Sequence, residues 1–229
     1  MRAYIYIDGF NLFYGCLKGR SCKWLDLDKL IHYYYPHYYI DKIKYFSAIV
    51  KARANDLNKP NRQLLYLRAL NTNQKIEIIL GSFLENEVYF YIPDRTKMGV
   101  QQRANVSLLR NKVNLPLCDT NYLAVKKTEE KGFDVNLGAH LIMDAYEGKF
   151  DVAIVVSNDS NLAEPIRMVN SMTNLNVRLL NPYPRTQVML AKAVNNNIKY
   201  IRKNVLRISQ FFEIMTDVVG SFFRPPEWK

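Results

Sequence analysis

The sequence predicts an α/β fold built around a mainly parallel sheet, and three observations carry that expectation. Two runs, residues 3–7 (AYIYI) and 152–156 (VAIVV), are continuously apolar, as strands covered on both faces must be. Further strand-like runs at 43–50, 75–80 and 177–180 alternate with stretches of helical periodicity, the pattern of strand–helix–strand units. The 229 residues are 48% hydrophobic and 23% charged. That is an ordinary globular balance, with enough apolar material to offset the entropy of ordering the chain.

In chain order, the first strand stops at Asp8-Gly9. A hairpin turn is one reading of that dipeptide, but the apolar residues that follow (Phe10, Leu12, Phe13, Leu17) fit a helix better than a return strand. Residues 26–34 open on the acidic cap Asp26 and place Leu27, Leu30 and Ile31 on one helical face. Strand 43–50 (IKYFSAIV) leads to a helix over 58–71, with Leu64, Leu67 and Leu70 apolar and basic residues on other faces. Strand 75–80 (KIEIIL) follows. Residues 87–92 (EVYFYI) read as an edge strand or hairpin arm, and the basic stretch 94–115 as a loop with a helical part. A helix over 134–146 carries Leu137, Leu141, Ile142 and Ala145. It precedes strand 152–156, a helix over 160–171 with Leu162, Ile166 and Val169, and strand 177–180. Beyond Asn181, Pro182 and Pro184 lead to a short helix near 186–194. No linker, repeat or low-complexity tract interrupts the chain, so one domain over 1–229 is expected, with 182–229 packed on it as a C-terminal extension.

The formal net charge is +11, from 32 basic and 21 acidic residues. A polyanion is the partner such a surface attracts, nucleic acid first, although a merely basic surface has the same sum. The charge is unevenly placed: residues 165–207 hold basic side chains and no acidic one. The three cysteines, Cys16, Cys22 and Cys118, are too few for a disulfide framework and read as reduced thiols in a cytoplasmic protein. No Cys/His spacing suits a transition metal. The apolar run at the N-terminus is too short for a secretion signal. No run approaches the roughly 18 apolar residues of a membrane span.

In an open parallel sheet, sites form outside the carboxyl ends of the strands, and two predicted strands deliver acids there. One ends in Asp8-Gly9-Phe10-Asn11, the other in Ser157-Asn158-Asp159-Ser160-Asn161. Asp134 opens the helix that leads into the second. Carboxylates without Cys or His suit a hard cation such as Mg²⁺ or Mn²⁺, which polarises a phosphate and activates water. Capping and turn roles account for the same residues, because Asp, Ser and Asn are all good N-caps. Composition and spacing leave both readings open.

At these residues the chain resembles the NYN family, in its DUF88/LabA-like branch, within the PIN-like nuclease superfamily. The matching stretches are YIDGFNLFYG (6–15), KWLDL (23–27), KYFSAIVKAR (44–53), RQLLYLRAL (62–70), KKTEEKGFDVNL (126–137), DAYEGKFDVAIVVSNDSNLAEPIRMV (144–169) and SQFFEIMTD…RPPEW (209–228). They span nearly the whole chain in the family's order. The resemblance implies a PIN-like three-layer α/β/α sandwich with a Mg²⁺- or Mn²⁺-dependent ribonuclease centre. Asp8, Asp134 and Asp159 match the acidic metal ligands, Asn11 the asparagine that shapes the centre, and Glu130 a weaker acidic position. One departure stands out. The family usually has a second Asp two residues after the first in its SxDSD element, and this chain has Asn161. An amide oxygen can ligate but brings no charge. His140 and Asp144 share the helix begun by Asp134, and neither is assigned to the metal.

Three functional expectations follow. The first is hydrolysis of an RNA phosphodiester, with Arg53, Arg62, Arg68, Lys126, Lys127, Lys131 and Arg185 as candidate contacts to the strand, beside Lys192, Arg202 and Lys203. Exposed tyrosines among Tyr33, Tyr34, Tyr35, Tyr38 and Tyr39 are candidates to stack on bases. The second is an RNA-binding module whose catalysis is weak or lost, motivated by Asn161. The third, a nucleotide-binding protein of another class, is disfavoured because no G-x-G-x-x-G or G-x-x-x-x-G-K-[ST] follows a strand.

Overall fold

The structure, a computed structural model, describes residues 1–52, 54, 56–91, 122–131 and 133–228, with side chains described outside 82–91, 122–131, 133 and 134. The strands are β1 (Arg2–Asp8), β2 (Tyr39–Ala48), β3 (Ile76–Tyr91), β4 (Tyr122–Lys131), β5 (Val152–Val156), β6 (Asn176–Asn181), β7 (Ile198–Tyr200), β8 (Ile214–Asp217) and β9 (Gly220–Phe223). The helices are α1 (Gly9–Leu12), continued by a π-helical turn over Phe13–Leu17, then α2 (Leu27–Tyr34), α3 (Lys59–Leu70), α4 (Phe133–Tyr146), α5 (Ala163–Asn170), α6 (Val188–Ala193) and α7 (Lys203–Ile208). The chain forms two units. One comprises Met1–Phe83 with Glu130–Lys229, the other Leu84–Glu129.

The sheet order is β4-β3-β2-β1-β5-β6-β7, and the six strands from β3 through β7 run parallel. Because side chains alternate along a strand, each face builds its own core. Ile5, Ile7 and Tyr45 pack with Leu30 of α2, Leu67 of α3 and Val205 of α7. Tyr6, Phe46 and Val155 pack on the other face with Leu141 of α4, Ile166 of α5 and Leu190 of α6. The result is a three-layer α/β/α sandwich. All five residues of β5 are buried, which is why its sequence is apolar without alternation. The helix expected after Asp8 is α1.

Some elements differ from expectation. Residues 87–91 continue β3 rather than forming a separate strand, while 94–115 lie outside the described residues. β7 has three half-buried or exposed residues and gives no apolar run to find. The hairpin β8–β9 and α7 were also not foreseen. The C-terminal stretch is held by Trp24. Its ring is fully buried, meets Tyr66, Phe211, Phe222 and Trp228, and donates from Nε1 to the Phe212 carbonyl at 2.8 Å. Among the described residues, no helix is long and apolar enough to cross a membrane.

This topology has a reversal between β1 and β5. From β1 the chain turns to α1 and α2 on one face and adds β2. After β5 it turns to α5 on the other face and adds β6. The two connections diverge, and the crevice this leaves at the carboxyl ends of β1 and β5 is where doubly wound sheets place ligands.

Candidate functional site

Asp8 is the last residue of β1 and is 1% exposed. Its Oδ1 accepts from the Asn11 backbone N–H at 2.8 Å, capping α1. Its Oδ2 accepts from Asn11 Nδ2 at 2.7 Å and from the Ser157 hydroxyl at 2.9 Å. A carboxylate at a helix N-terminus is favoured by the dipole and by the unpaired N–H groups there. The capping reading and the site reading therefore describe the same geometry, since the cap is what aims the carboxylate. Gly9 is required beside it. A Cβ there would stand 2.6 Å from the Tyr45 hydroxyl oxygen and 2.8 Å from the Phe46 carbonyl oxygen.

The second loop is tied to the first. Asn11 Oδ1 accepts from the Asn158 N–H at 3.2 Å. The buried Ser157 hydroxyl, besides donating to Asp8, accepts from the Asp159 N–H at 3.1 Å. Asp159 is half-buried, and its Oδ1 caps the short 3₁₀ turn Ser160–Leu162 by accepting from the Asn161 N–H at 2.9 Å. No described hydrogen bond reaches Asp159 Oδ2. Asn161 itself is exposed. Asp134 is the second residue of α4, and its side chain lies outside the described residues.

A third loop, after β6, buttresses the second. Asn158 Oδ1 accepts from Asn181 Nδ2 and from the Gln187 N–H, both at 3.1 Å, while its Nδ2 donates to the Arg185 carbonyl at 3.2 Å. Asn181 is fully buried and also donates to the Thr186 hydroxyl at 2.6 Å. Arg185, a predicted strand contact, is exposed and held beside the site through its backbone. Tyr183 packs over Gly15, and its phenol is pushed up by burial and then by the negative charge of Asp8. Sequence reasoning passed over Ser157, Asn158, Asn181 and Tyr183 as functional residues. The only signal was their position at the carboxyl ends of β5 and β6.

The other predicted contacts have varied surroundings. Arg62 is paired with Asp56 and with Glu227. Arg68 makes a bidentate pair with Asp217 at 2.7 Å, donates to the Gly220 carbonyl at 3.0 Å, and lies over the Phe222 ring. That guanidinium fastens the β8–β9 hairpin and holds the Asp217 carboxyl down at about 2. Arg53 lies outside the described residues. Lys126, Lys127, Glu130 and Lys131 are on β4, with side chains outside them. Tyr39 pairs with Arg2 at the amino ends of the strands, so the tyrosine cluster sits at the sheet edge opposite Asp8. Tyr34 and Tyr35 are buried, Tyr34 accepting from the Arg202 N–H at 2.7 Å. Cys16 and Cys22 are buried free thiols, and burial pushes Cys16 up to about 12.

A second buried carboxylate is carried by α4. Asp144, 2% exposed, accepts at Oδ2 from Lys44 Nζ of β2 and from the Tyr6 hydroxyl of β1 at 2.8 Å, and at Oδ1 from Lys149 at 3.0 Å. Burial pushes its carboxyl up, but the hydrogen bonds from Lys44, Tyr6 and Lys149 outweigh that and hold it low. Lys44 also donates to His140 Nδ1 at 3.2 Å.

Among the described residues, no group of three or more His, Cys, Asp or Glu is gathered to hold a metal. Two acids, Asp8 and Asp159, are linked at the strand ends through the Ser157 hydroxyl, which donates to the Asp8 carboxylate and accepts from the Asp159 N–H. That donor set fits Mg²⁺, which keeps much of its water and takes one or two carboxylates, with substrate phosphate completing the shell.

Fold and site together define a doubly wound α/β protein with a carboxylate-bearing crevice at its switch point. No protein-family model matches the chain. It is 28% identical over 201 residues to 6-hydroxy-3-succinoylpyridine 3-monooxygenase HspA of Pseudomonas putida (strain DSM 28022 / S16), an alignment covering 80% of this chain and 60% of that enzyme. The chain therefore spans about 60% of the length of that curated relative. In three dimensions it is similar to the crystal structure of a protein of unknown function from Vibrio parahaemolyticus RIMD 2210633. The TM-score is 0.53 at 16% identity, over 89% of this chain and 94% of that one. That likeness is one of fold.

Proposed function

We propose that the chain is a metal-dependent nuclease of the NYN, PIN-like type that hydrolyses RNA phosphodiester bonds at the ends of β1 and β5. The observation that carries this reading is the placement of Asp8 and Asp159 on two loops that share Ser157 and Asn11 at the switch point. Asp8, Asp159 and, from the sequence resemblance, Asp134 would hold Mg²⁺ or Mn²⁺. Such an ion lowers the pKa of a bound water and neutralises charge developing on phosphate. Asn11 and Ser157 fix the Asp8 carboxylate before substrate arrives, so no reorientation is needed at the moment of reaction. Arg185 and the acid-free stretch 165–207 supply cationic groups for the backbone on either side.

The test is incubation of the purified full chain with end-labelled single-stranded and hairpin RNA, with Mg²⁺ or Mn²⁺, beside Asp159→Ala. Cleavage that needs the metal and is lost in the variant is the expected result. Cleavage indifferent to both sinks the site. Binding of RNA with no cleavage favours the module with lost catalysis, in which Asn161 has removed a needed charge.

A second reading is favoured by the name of the Pseudomonas putida relative, a monooxygenase acting on 6-hydroxy-3-succinoylpyridine. If this chain shares that activity, it converts the same compound in the presence of dioxygen and a reductant, a product mass spectrometry detects. Both readings make the chain an enzyme.

A further inference from the structure

A cavity of about 160 Å³ lies on the α3 side of the crevice, within the first unit. Its walls are mostly apolar and largely aromatic: Phe13 and Tyr14 from the π-helical turn after α1, Tyr45 from β2, Tyr66 from α3, and Trp228 from the C-terminal turn. Tyr45 and Tyr66 are buried and Tyr14 is half exposed, so rings line the interior and one stands at the mouth. Polar groups line the same space: the Ser47 hydroxyl, the Gln63 carboxamide, Lys23, Lys59 and the paired Asp56 and Arg62. Gln63 is fixed in place, accepting from the Val50 N–H at 2.8 Å and donating to the Ala48 carbonyl at 2.9 Å and to the Ser47 hydroxyl at 3.3 Å. Apolar aromatic walls with a small set of oriented polar groups are the pattern of a site for a flat ligand.

Size narrows the ligand. A cavity of about 150 Å³ holds one benzene ring, so this one accommodates a single six-membered ring and leaves the second ring of a purine outside. Position narrows it further. Gly9 forms part of the wall and directly follows Asp8, one peptide or about 3.8 Å away between Cα atoms. Neither Asp8 nor Asp159 lines the cavity, but a molecule extending past Gly9 from a ring seated here would run toward the strand ends that carry them. We propose that this cavity is a base-binding subsite that takes a pyrimidine, uracil or cytosine, of the nucleotide whose phosphate is presented to Asp8 and Asp159. This rests on the nuclease reading for the identity of the ligand. Stacking on Phe13, Tyr14 and Trp228 would supply the attraction, while at the ring edge Gln63 Oε1 would accept a hydrogen bond and the Ser47 hydroxyl would donate one. Lys23 stands where a flanking phosphate is attracted.

The test separates binding from cleavage. Calorimetric titration of UMP and of AMP into the full chain should show UMP binding at least tenfold more tightly. Val50→Trp, which puts an indole at a lining position while keeping the backbone bond to Gln63, should weaken UMP at least tenfold with an unchanged melting temperature. Tyr14→Ala, at a half-exposed position, should weaken UMP roughly tenfold through loss of one stacking face, and it serves if the tryptophan variant does not fold. Equal or tighter binding of AMP, no binding of either nucleotide, or UMP affinity unaltered in both variants overturns the subsite. So does stoichiometric displacement of UMP by free 6-hydroxy-3-succinoylpyridine at lower concentration than UMP itself, because the small ring is then the ligand. RNA cleavage with no pyrimidine preference, unchanged in Tyr14→Ala, sinks the subsite and leaves the nuclease reading standing. Pyrimidine binding by a chain that cleaves no RNA sinks the nuclease reading and leaves the subsite.

Discussion

Two aspartates, Asp8 and Asp144, are almost fully buried on the same face of the sheet, and their surroundings differ in kind. Asp144 is held by two ammonium groups and a phenol, Lys44, Lys149 and Tyr6. Asp8 is held by a backbone N–H, a carboxamide and a hydroxyl. Cationic donors clamp a carboxylate by neutralising it inside the fold, at a desolvation cost that makes such pairs weak contributors to net stability yet costly to break. The donors described around Asp8 are neutral groups that fix the direction of its carboxylate at the end of β1. The contrast sets an acid that organises the interior against one to which the proposed nuclease function gives a chemical role.

The same isosteric change should therefore have opposite consequences at the two sites. Asp8→Asn is expected to lower RNA cleavage by more than about 10²-fold, beyond the loss typical of a residue that only supports a metal ligand. Its stability should fall by about 1–3 kcal/mol, because one amide donor would face another. Asp144→Asn leaves buried Lys44 facing a neutral group and should cost about 3–5 kcal/mol, while molecules that remain folded cleave normally. Urea melts and single-turnover cleavage on the same preparations give both numbers. The distinction collapses if Asp8→Asn unfolds the chain, or if folded Asp144→Asn is inactive.

Ser157→Ala sharpens the picture on the Asp8 side. The hydroxyl joins the Asp8 carboxylate to the Asp159 N–H, so its removal loosens both loops without removing a charge. A positioning role predicts a loss of about 10- to 100-fold in cleavage, concentrated in the metal concentration needed for half-maximal rate. Ser157→Thr, which keeps the hydroxyl, should recover part of it. A uniform fall in rate at saturating metal would mean that Ser157 contributes little to holding Asp8.

The two regions were also unequally legible in sequence. The strand-end acids could be placed because β1 and β5 are continuously apolar and each stops at a polar run, so Asp8 and Asp159 fall one to three residues beyond the last buried aliphatic. Helix patterns bounded by Asp26 and Asp159 were legible because capping chemistry is local. Lys44–Asp144 was not legible. Lys44 sits in a strand where a lysine reads as solvent-facing, and its partner is 100 residues away. Ser157, Asn158 and Asn181 read as ordinary turn residues, because the bonds that make them a network join loops after β1, β5 and β6. β7 was missed for a related reason: its pairing with β6 comes from backbone register rather than from an apolar run. Asp134 and Asn161 were visible as helix-start and strand-end residues, but spacing alone does not distinguish ligands from caps, and only the resemblance to NYN proteins gave them a place in a metal site.

The smallest expected effect is in pH dependence, and it belongs to the Asp144 side. His140 meets Lys44 through Nδ1 and the Phe46 ring edge-on, with Asp144, Glu77 and Lys149 as the other nearby charges. Burial first, then the Lys44 charge, lower its pKa below the ordinary 6.5. The folded state thus prefers neutral imidazole, while the unfolded chain takes a proton earlier as the pH falls. Stability from this group is complete above pH 6.5 and declines as the pH drops through 6.5 toward the folded value. Asp144 titrates in the same direction but in a separate window. Its lowered carboxyl contributes stability above the usual carboxylate range and loses it only as the pH falls below about 3.8. His140→Gln, which keeps an acceptor for Lys44, should therefore flatten the decline between pH 7 and pH 5 and leave the steeper loss below pH 4 intact. Urea midpoints at pH 7, 6, 5 and 3.5 measure both arms. An unchanged slope between pH 7 and pH 5 would mean that the imidazole can hold its proton beside Lys44, so that Asp144 offsets the ammonium more completely than the hydrogen-bond geometry implies.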